Sequence, residues 1–369
     1  MYKIKIGILT SSRADYGIYQ PLLKKMAANQ NIDLHILAFG MHLQSKFGLT
    51  IKEIVKDNFG TTHKIEGMPV GDSLLDIATG YGKVVEAFAQ FWSAHKFDVI
   101  LALGDRFEMS AAVQASIPFE VKIAHLHGGE TTLGATDNIY RHQITLASDI
   151  HFVAADAFKA RVAQLKDSEE NIYNVGALSL DGLEKLALPT WEDVREKFNI
   201  PNKPFVLVTV HPETISSANN KQFAAEMKHA FAQLCKDIHL VITMTNADAM
   251  GSFYREEILN VKEENPNQIT LVESFGKLNY FAAMVACQYM LGNTSSGIIE
   301  AASFKKYVVN IGDRQKGRLQ SNNLLNVPFE AKEILEASKL ALEKGEYQGN
   351  NRYSKQNSAN QIIQVLENV

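Results

Sequence analysis

The chain has 369 residues, with 37 basic against 41 acidic side chains, a formal net charge of -4, and 46% hydrophobic and 21% charged residues. This composition excludes a mini-protein, a collagen-like repeat and a disordered tail, and at roughly 100–200 residues per domain it predicts two domains. The near balance of charge argues against a nucleic-acid partner, which calls for a strongly basic face.

The first apolar run, residues 3–10, is predicted as a strand. It has neither the long apolar stretch nor the small-residue cleavage site of a signal peptide, and no run reaches the ~18–20 apolar residues of a membrane span. A cytoplasmic protein without a membrane partner is expected. Strands are predicted next at 34–39, 99–103, 123–127 and 150–154, each followed by a polar turn and a helical pattern. Val99-Ile100-Leu101-Ala102-Leu103 is apolar at every position, which fits a parallel strand covered on both faces, and the βα alternation predicts a doubly wound α/β sheet.

After the polar, proline-bearing stretch 189–204 the pattern restarts, with strands at 205–210, 239–243, 270–272, 289–291 and 307–311. The expected division is an N-terminal Rossmann-like domain at 1–187, a C-terminal one at 188–352, and a terminal helix at 353–369 packing back on the first. The join is expected to be structured, because 183–188 is apolar and 191–198 reads as a helix. Two such halves facing one another leave a central cleft, where ligands of α/β proteins usually sit. Cys235 and Cys287 lie in apolar or amphipathic stretches outside any C-x-x-C pattern, so they are expected to be buried thiols.

Candidate chemistry falls at the predicted strand ends. The first strand runs into Thr10-Ser11-Ser12-Arg13-Ala14-Asp15-Tyr16-Gly17, where Arg13 suits a phosphate and Ser12 suits a helix cap. Asp105 in Gly104-Asp105-Arg106-Phe107-Glu108 reads either as a cap or as a working carboxylate, and Arg106 as a structural ion pair or a ligand contact. In His127-Gly128-Gly129-Glu130 the glycines are expected to admit a ligand close to the backbone before Glu130 is presented. Asp137 follows a Gly134-Ala135-Thr136 turn, and Arg141 and His142 read as helix-borne supports that orient the carboxylates. Asp105, Glu130 and Asp137 come from the ends of neighbouring βα units. Brought together in a dry site, they would separate an acid from a base and suit proton transfer at carbon.

In the second half Pro212 stops the ladder and pins His211 at a strand end, and Asn246 occupies the same station on the next strand. The loop Gly292-Asn293-Thr294-Ser295-Ser296-Gly297 feeds a helix predicted at 298–304, an arrangement that offers N–H groups and hydroxyls to a diphosphate, with simple capping by Ser295 and Ser296 as the alternative. Glu300, one turn on, is placed to accept from ribose hydroxyls. Arg314, Lys316 and Arg318 follow the last predicted strand as a phosphate clamp or a solvated loop. There is no G-x-G-x-x-G after the first strand and no Walker loop, G-x-S-x-G elbow, EF-hand loop or zinc spacing, so neither a nicotinamide nor a metal cofactor is expected.

Taken in order, Ser12 to Gly17, Gly104-Asp105-Arg106, His127 to Glu130 with Asp137 and Arg141-His142, His211-Pro212-Glu213-Thr214, Gly292 to Gly297 with Glu300, and Gly312 to Arg318 resemble the hydrolysing UDP-N-acetylglucosamine 2-epimerases over nearly the whole chain. The resemblance implies a glycosyltransferase-B type of fold with the active site between two domains. It also implies elimination of UDP across C1 and C2 to a 2-acetamidoglucal, then addition of water to release N-acetylmannosamine for sialic acid synthesis. By the same carry-over Asp105, Glu130 and Asp137 are acid/base candidates and His211 a leaving-group contact. Arg13, Arg106, Asn246, Ser295, Ser296, Gly297, Glu300 and Arg314 would hold the nucleotide. A homodimer or homotetramer is implied as well. Non-hydrolysing relatives show G-T-R-P-E and H-R-x-E-N where this chain has Ser11-Ser12-Arg13-Ala14-Asp15 and His211-Pro212-Glu213-Thr214, and no fused kinase module is expected. Three alternatives stay open: the same reaction on a UDP- or GDP-linked 2,4-diacetamido-6-deoxy sugar for legionaminic acid, a glycosyltransferase, or a nucleotide-sugar sensor without turnover.

Overall fold

A computed structural model describes residues 3–67, 71, 73–133, 136–213, 219–244 and 251–369. The chain divides into two compact units, one of Met1–Glu130, Asp137–Glu184 and Tyr353–Val369, the other of Thr131–Thr136 and Lys185–Arg352. Each is built on a wholly parallel sheet with helical crossovers.

The first sheet contains β1 (Ile4–Thr10), β2 (Ile32–Phe39), β3 (Thr61–Ile65), β4 (Val99–Leu103), β5 (Ile123–Leu126), β6 (Ile150–Val153) and β7 (Ile172–Asn174). Their order is β3-β2-β1-β4-β5-β6-β7. The chain therefore winds outward in one direction from β1 and returns in the other from β4, and the strand order reverses between these two. Register places Ile8 beside Leu101 and Leu103 beside Leu126, so the carboxyl ends of β1, β4 and β5 open on the same rim. The unbroken apolar run of β4 has a direct cause. Val99, Leu101 and Leu103 enter one core with Ile6, Ile8 and Leu22, whereas Ile100 and Ala102 enter the other with Phe88, Trp92 and Met109.

The second sheet contains β8 (Phe205–Thr209), β9 (His239–Thr243), β10 (Ile269–Val272), β11 (Met290–Gly292), β12 (Val308–Ile311) and β13 (Leu324–Val327), in the order β10-β9-β8-β11-β12-β13. Its reversal lies between β8 and β11. The helix Trp191–Lys197 that precedes it is capped by Thr190, whose hydroxyl accepts from Asp193 N–H at 3.2 Å, and Trp191 stacks on Phe205 with ring centroids 4.6 Å apart. Both cysteines are buried.

The expected strands are all present with ends within two residues of those read from the sequence. Three further strands, β3, β7 and β13, lie at sheet edges. β3 and β7 each bury a single residue, Ile65 and Ile172, and β13 buries none fully.

The last helix, Ser358–Leu366, places Ala359, Ile362, Ile363 and Leu366 in the same core as Tyr19, Leu22 and Leu23 of the helix Arg13–Ala27. Its first N–H groups are met by the buried Asp181 carboxylate, from Ser358 at 2.9 Å and Ala359 at 3.3 Å, while Lys25 Nζ stands 3.4 Å from the same side chain. Replacing Asp181 by Ala leaves those donors unmet. We expect a loss of about 1–3 kcal/mol from the first unit and faster amide exchange across residues 358–366 than elsewhere in that unit. An unchanged urea midpoint and exchange pattern would show that the carboxylate is not what holds the helix.

Candidate active site

The first strand end is shaped by its own cap. Asp15 accepts from Ser11 N–H at 2.6 Å and Ser12 N–H at 2.7 Å, and also takes the Ser12 hydroxyl, forming a capping box for the helix Arg13–Ala27. The donors an anion would seek in this loop are thus occupied by Asp15, and Ser12 acts as the cap. Arg13, at the first helical position, is exposed.

At the next strand end, Gly104 turns the chain in the left-handed region, with φ 80°. The turn is held by His125 of β5, whose Nε2 donates to Gly104 O at 2.9 Å while Nδ1 accepts from the Thr145 hydroxyl at 3.1 Å. Burial pushes this imidazole down to about 3, so it is neutral. The helix Phe107–Gln114 begins after Arg106, whose own side chain makes no capping hydrogen bond. Asp105 accepts from Arg141 Nη2. Arg141 sits on the helix Asp137–Leu146 and is itself buried, which places a cation behind a carboxylate at the rim. Of the two supports expected on that helix, Arg141 takes the role. Neither ring nitrogen of His142 has a hydrogen-bond partner among the described residues.

Glu130, at the end of β5, is buried and accepts from His127 Nδ1 at 2.7 Å. The intervening glycines do not serve the purpose expected of them. A Cβ on Gly129 would lie 2.5 Å from Phe158 O, so the space is filled by protein rather than kept for a ligand. Asp137 is the first residue of its helix and is partly exposed; Gly134 and Ala135 of the turn before it lie outside the described residues. The three acids therefore belong to two neighbouring βα units, with Asp105 and Glu130 on adjacent strand ends. Each of these two is met by a basic partner rather than by the other acid.

The second unit gathers a separate set. His211 N–H donates to Asn293 Oδ1 at 2.7 Å, and Asn293 Nδ2 donates back to His211 O at 2.9 Å. Asn293 is fully buried, and its carbonyl accepts from Gln315 Nε2 at 2.8 Å. Asn293 thus ties the ends of β8, β11 and β12, its side-chain amide holding the backbone of His211 and its backbone carbonyl receiving Gln315. Gly292 permits this close approach, since a Cβ there would stand 1.8 Å from Thr209 O. Glu213 adds a second brace by accepting from Asp313 N–H at 2.5 Å and from the Arg314 N–H, with its pKa raised chiefly by burial. The same unit includes Leu133, whose N–H donates to Lys316 O at 2.8 Å.

Thr294, not Ser295 or Ser296, caps the helix Ser295–Ile299, its hydroxyl accepting from Ser296 N–H at 3.4 Å. The predicted helix 298–304 is replaced by this short helix and a 3-10 turn, Ala301–Phe304. Ser295 and Ser296 remain partly exposed, Gly297 and Glu300 are buried, and Arg314 is partly exposed after β12. Asn246 lies outside the described residues. Sequence reading assigned no role to Glu108, Glu213, Asn293 or Gln315. All four stand inside the motifs at the strand ends, but only contact across strands reveals what they hold.

Each sheet thus carries its charged and hydroxyl side chains on the carboxyl rim beside the reversal of strand order, the station at which doubly wound sheets bind ligands. Two such units in one chain define the glycosyltransferase-B type of fold, shared with a solved UDP-GlcNAc 2-epimerase from Neisseria meningitidis bound to UDP-GlcNAc at a TM-score of 0.82, 16% identity, and coverage of 99% of this chain and 100% of that one. The profile described as UDP-N-acetylglucosamine 2-epimerase matches residues 24–367. This chain belongs to the UDP-N-acetylglucosamine 2-epimerase family.

Among characterised relatives, a GDP/UDP-N,N'-diacetylbacillosamine 2-epimerase (hydrolyzing) of Campylobacter jejuni is 33% identical, over 88% of this chain and 85% of its own. A UDP-N,N'-diacetylbacillosamine 2-epimerase (hydrolyzing) of Legionella pneumophila is 32% identical, over 99% and 96%.

Proposed function

We propose that the protein is a hydrolysing nucleotide-sugar 2-epimerase. The observation that supports this most is the pairing of a rim carboxylate, Asp105, with the buried Arg141, beside the His127–Glu130 pair on the adjacent strand end. That arrangement supplies an oriented base and a second acid for proton transfer at carbon. In the proposed reaction one of Asp105, Glu130 and Asp137 removes the C2 proton, the C1–O bond breaks to release the nucleoside diphosphate, and a 2-acetamidoglucal remains. Water then gives its hydroxyl to C1, and a proton returns to C2 from the opposite face, leaving the free 2-epimer. His211 stabilises the departing diphosphate, with Arg13, Arg106, Ser295, Ser296, Gly297, Glu300, Arg314 and Asn246 holding the nucleotide.

The sugar proposed is a nucleotide-linked 2,4-diacetamido-6-deoxy hexose. UDP-N-acetylglucosamine stood first in the sequence reading, but the names of the relatives at 33% and 32% identity favour the diacetamido sugar. The test is incubation with each sugar and no acceptor, following nucleoside diphosphate and free sugar. We expect stoichiometric release of both, with kcat/KM at least about tenfold higher for the diacetamido substrate, the discrimination that one well-placed polar or methyl contact provides. Release only on addition of an acceptor would identify a glycosyltransferase instead, and equal or better turnover of UDP-N-acetylglucosamine would return the sugar to the first expectation.

A further inference from the structure

Asp105 and Arg106 are consecutive residues of opposite charge, and both reach the rim, with 23% and 29% of their side chains exposed. Each is backed by a buried group of the other sign. Arg141 stands behind Asp105, and Glu108, whose side chain is wholly buried, stands behind Arg106. A carboxylate fully removed from water is costly unless donors surround it, and an apolar residue of similar size would fill the same space more cheaply. Glu108 is only half satisfied. Its Oε1 accepts from Arg106 Nε and from the Ser11 hydroxyl at 3.1 Å, whereas Oε2 is buried with no hydrogen-bond partner among the described residues. Stability alone gives no reason to keep this group. What it does fix is the plane of one guanidinium, because an Nε held on a carboxylate sets the direction of the fork formed by the two Nη atoms.

We propose that Glu108 is the positioning residue for Arg106, tying its guanidinium through Oε1 to the Ser11 end of β1 so that Arg106 meets the diphosphate of the nucleotide sugar in a single orientation. This rests on the nucleotide-sugar function proposed above. Glu108 spans the reversal of strand order, since Ser11 follows β1 and Arg106 follows β4. The link therefore joins the two strand ends between which a doubly wound sheet binds its ligand.

A double-mutant cycle on UDP binding tests the proposal. Glu108→Gln should weaken UDP about tenfold and raise KM by a similar factor while kcat falls less than about threefold; in the Arg106→Ala background the same change should have no further effect on UDP. Ser11→Ala, a milder change at the same Oε1, should weaken UDP about threefold, again only while Arg106 is present, so the proposal stays testable if Glu108→Gln folds poorly. Equal losses in both backgrounds, or unchanged UDP affinity in both single variants, would overturn it. Wild-type protein that binds neither UDP nor GDP would remove the proposed function itself and this inference with it; if GDP is the diphosphate bound, the same cycle is read on GDP. Wild-type binding and turnover with an additive cycle would remove only the role given to Glu108.

Discussion

Asp105→Asn is expected to lower kcat by about 10³-fold, within the range for loss of a positioned acid or base. UDP affinity should change little. Asn keeps the shape and can still accept from Arg141, but it cannot take a proton from carbon. Because the carboxylate sits at the rim while Arg141 is buried, the substitution acts on the exposed end of the pair. It leaves the packing of the helix Asp137–Leu146 in place. The complementary change, Arg141→Ala, removes the buried cation and should cost both fold stability and activity. Loss of the counter-charge to the buried Arg141 should lower the melting temperature, so a catalytic role for Asp105 is recognised by loss of turnover in a variant that is still folded at the assay temperature and binds UDP as before. Turnover within about threefold of wild type in Asp105→Asn would move the base to Glu130 or Asp137.

The second large effect is in acid. His125 is pushed down to about 3 and His151 and His239 to about 4, each chiefly by burial. These folded values lie below the ordinary imidazole value of 6.5. Between the two values the unfolded chain binds more protons than the folded one, so the stability from these neutral histidines is complete above pH ~6.5 and is lost as the pH falls toward the folded values. Each unit of depression corresponds to about 1.4 kcal/mol. Two of the three, His125 and His151, lie in the first unit, so the loss on acidification is concentrated there. His125 and His151 are register partners on β5 and β6, so the first unit should unfold earlier on acidification than the second, which carries His239 on β9. Urea titrations between pH 7 and 4 should show the midpoint falling steadily below pH 6.5. A midpoint constant down to pH 4 would mean these imidazoles gain protons without disturbing the fold.

The parts of this molecule that the sequence made legible share one physical cause. A strand buried on both faces has no polar position, so Val99–Leu103 announces itself, and Phe205–Thr209 does the same. Edge strands lack that signature. Thr61–Ile65 contributes one buried residue, Ile65, and it pairs with β2 alone. The loops that follow the central strands were legible for a related reason, because polar, glycine-bearing segments at the ends of apolar runs mark the rim. Pairings on that rim were not. Nothing in Arg106-Phe107-Glu108 says that the acid turns back on the arginine while also reaching Ser11, and nothing local shows that Asn293 clasps the backbone of His211. Such contacts arise from strand order, which brings residues 82 and 97 positions apart into hydrogen-bond range. The role read into Gly128 and Gly129 failed for the same reason: the neighbour that claims the space at Gly129 is Phe158, on the helix Asp156–Lys166, three elements later.

The central claim is removal and replacement of the proton at C2 during release of the nucleoside diphosphate. It is tested most directly by running the reaction in deuterium oxide with the UDP-linked 2,4-diacetamido sugar and with UDP-N-acetylglucosamine, and reading the freed sugar by proton NMR. We expect a manno-configured product with one deuterium at C2 and an equivalent of UDP. A freed sugar that keeps its original hydrogen and configuration at C2 would contradict that claim.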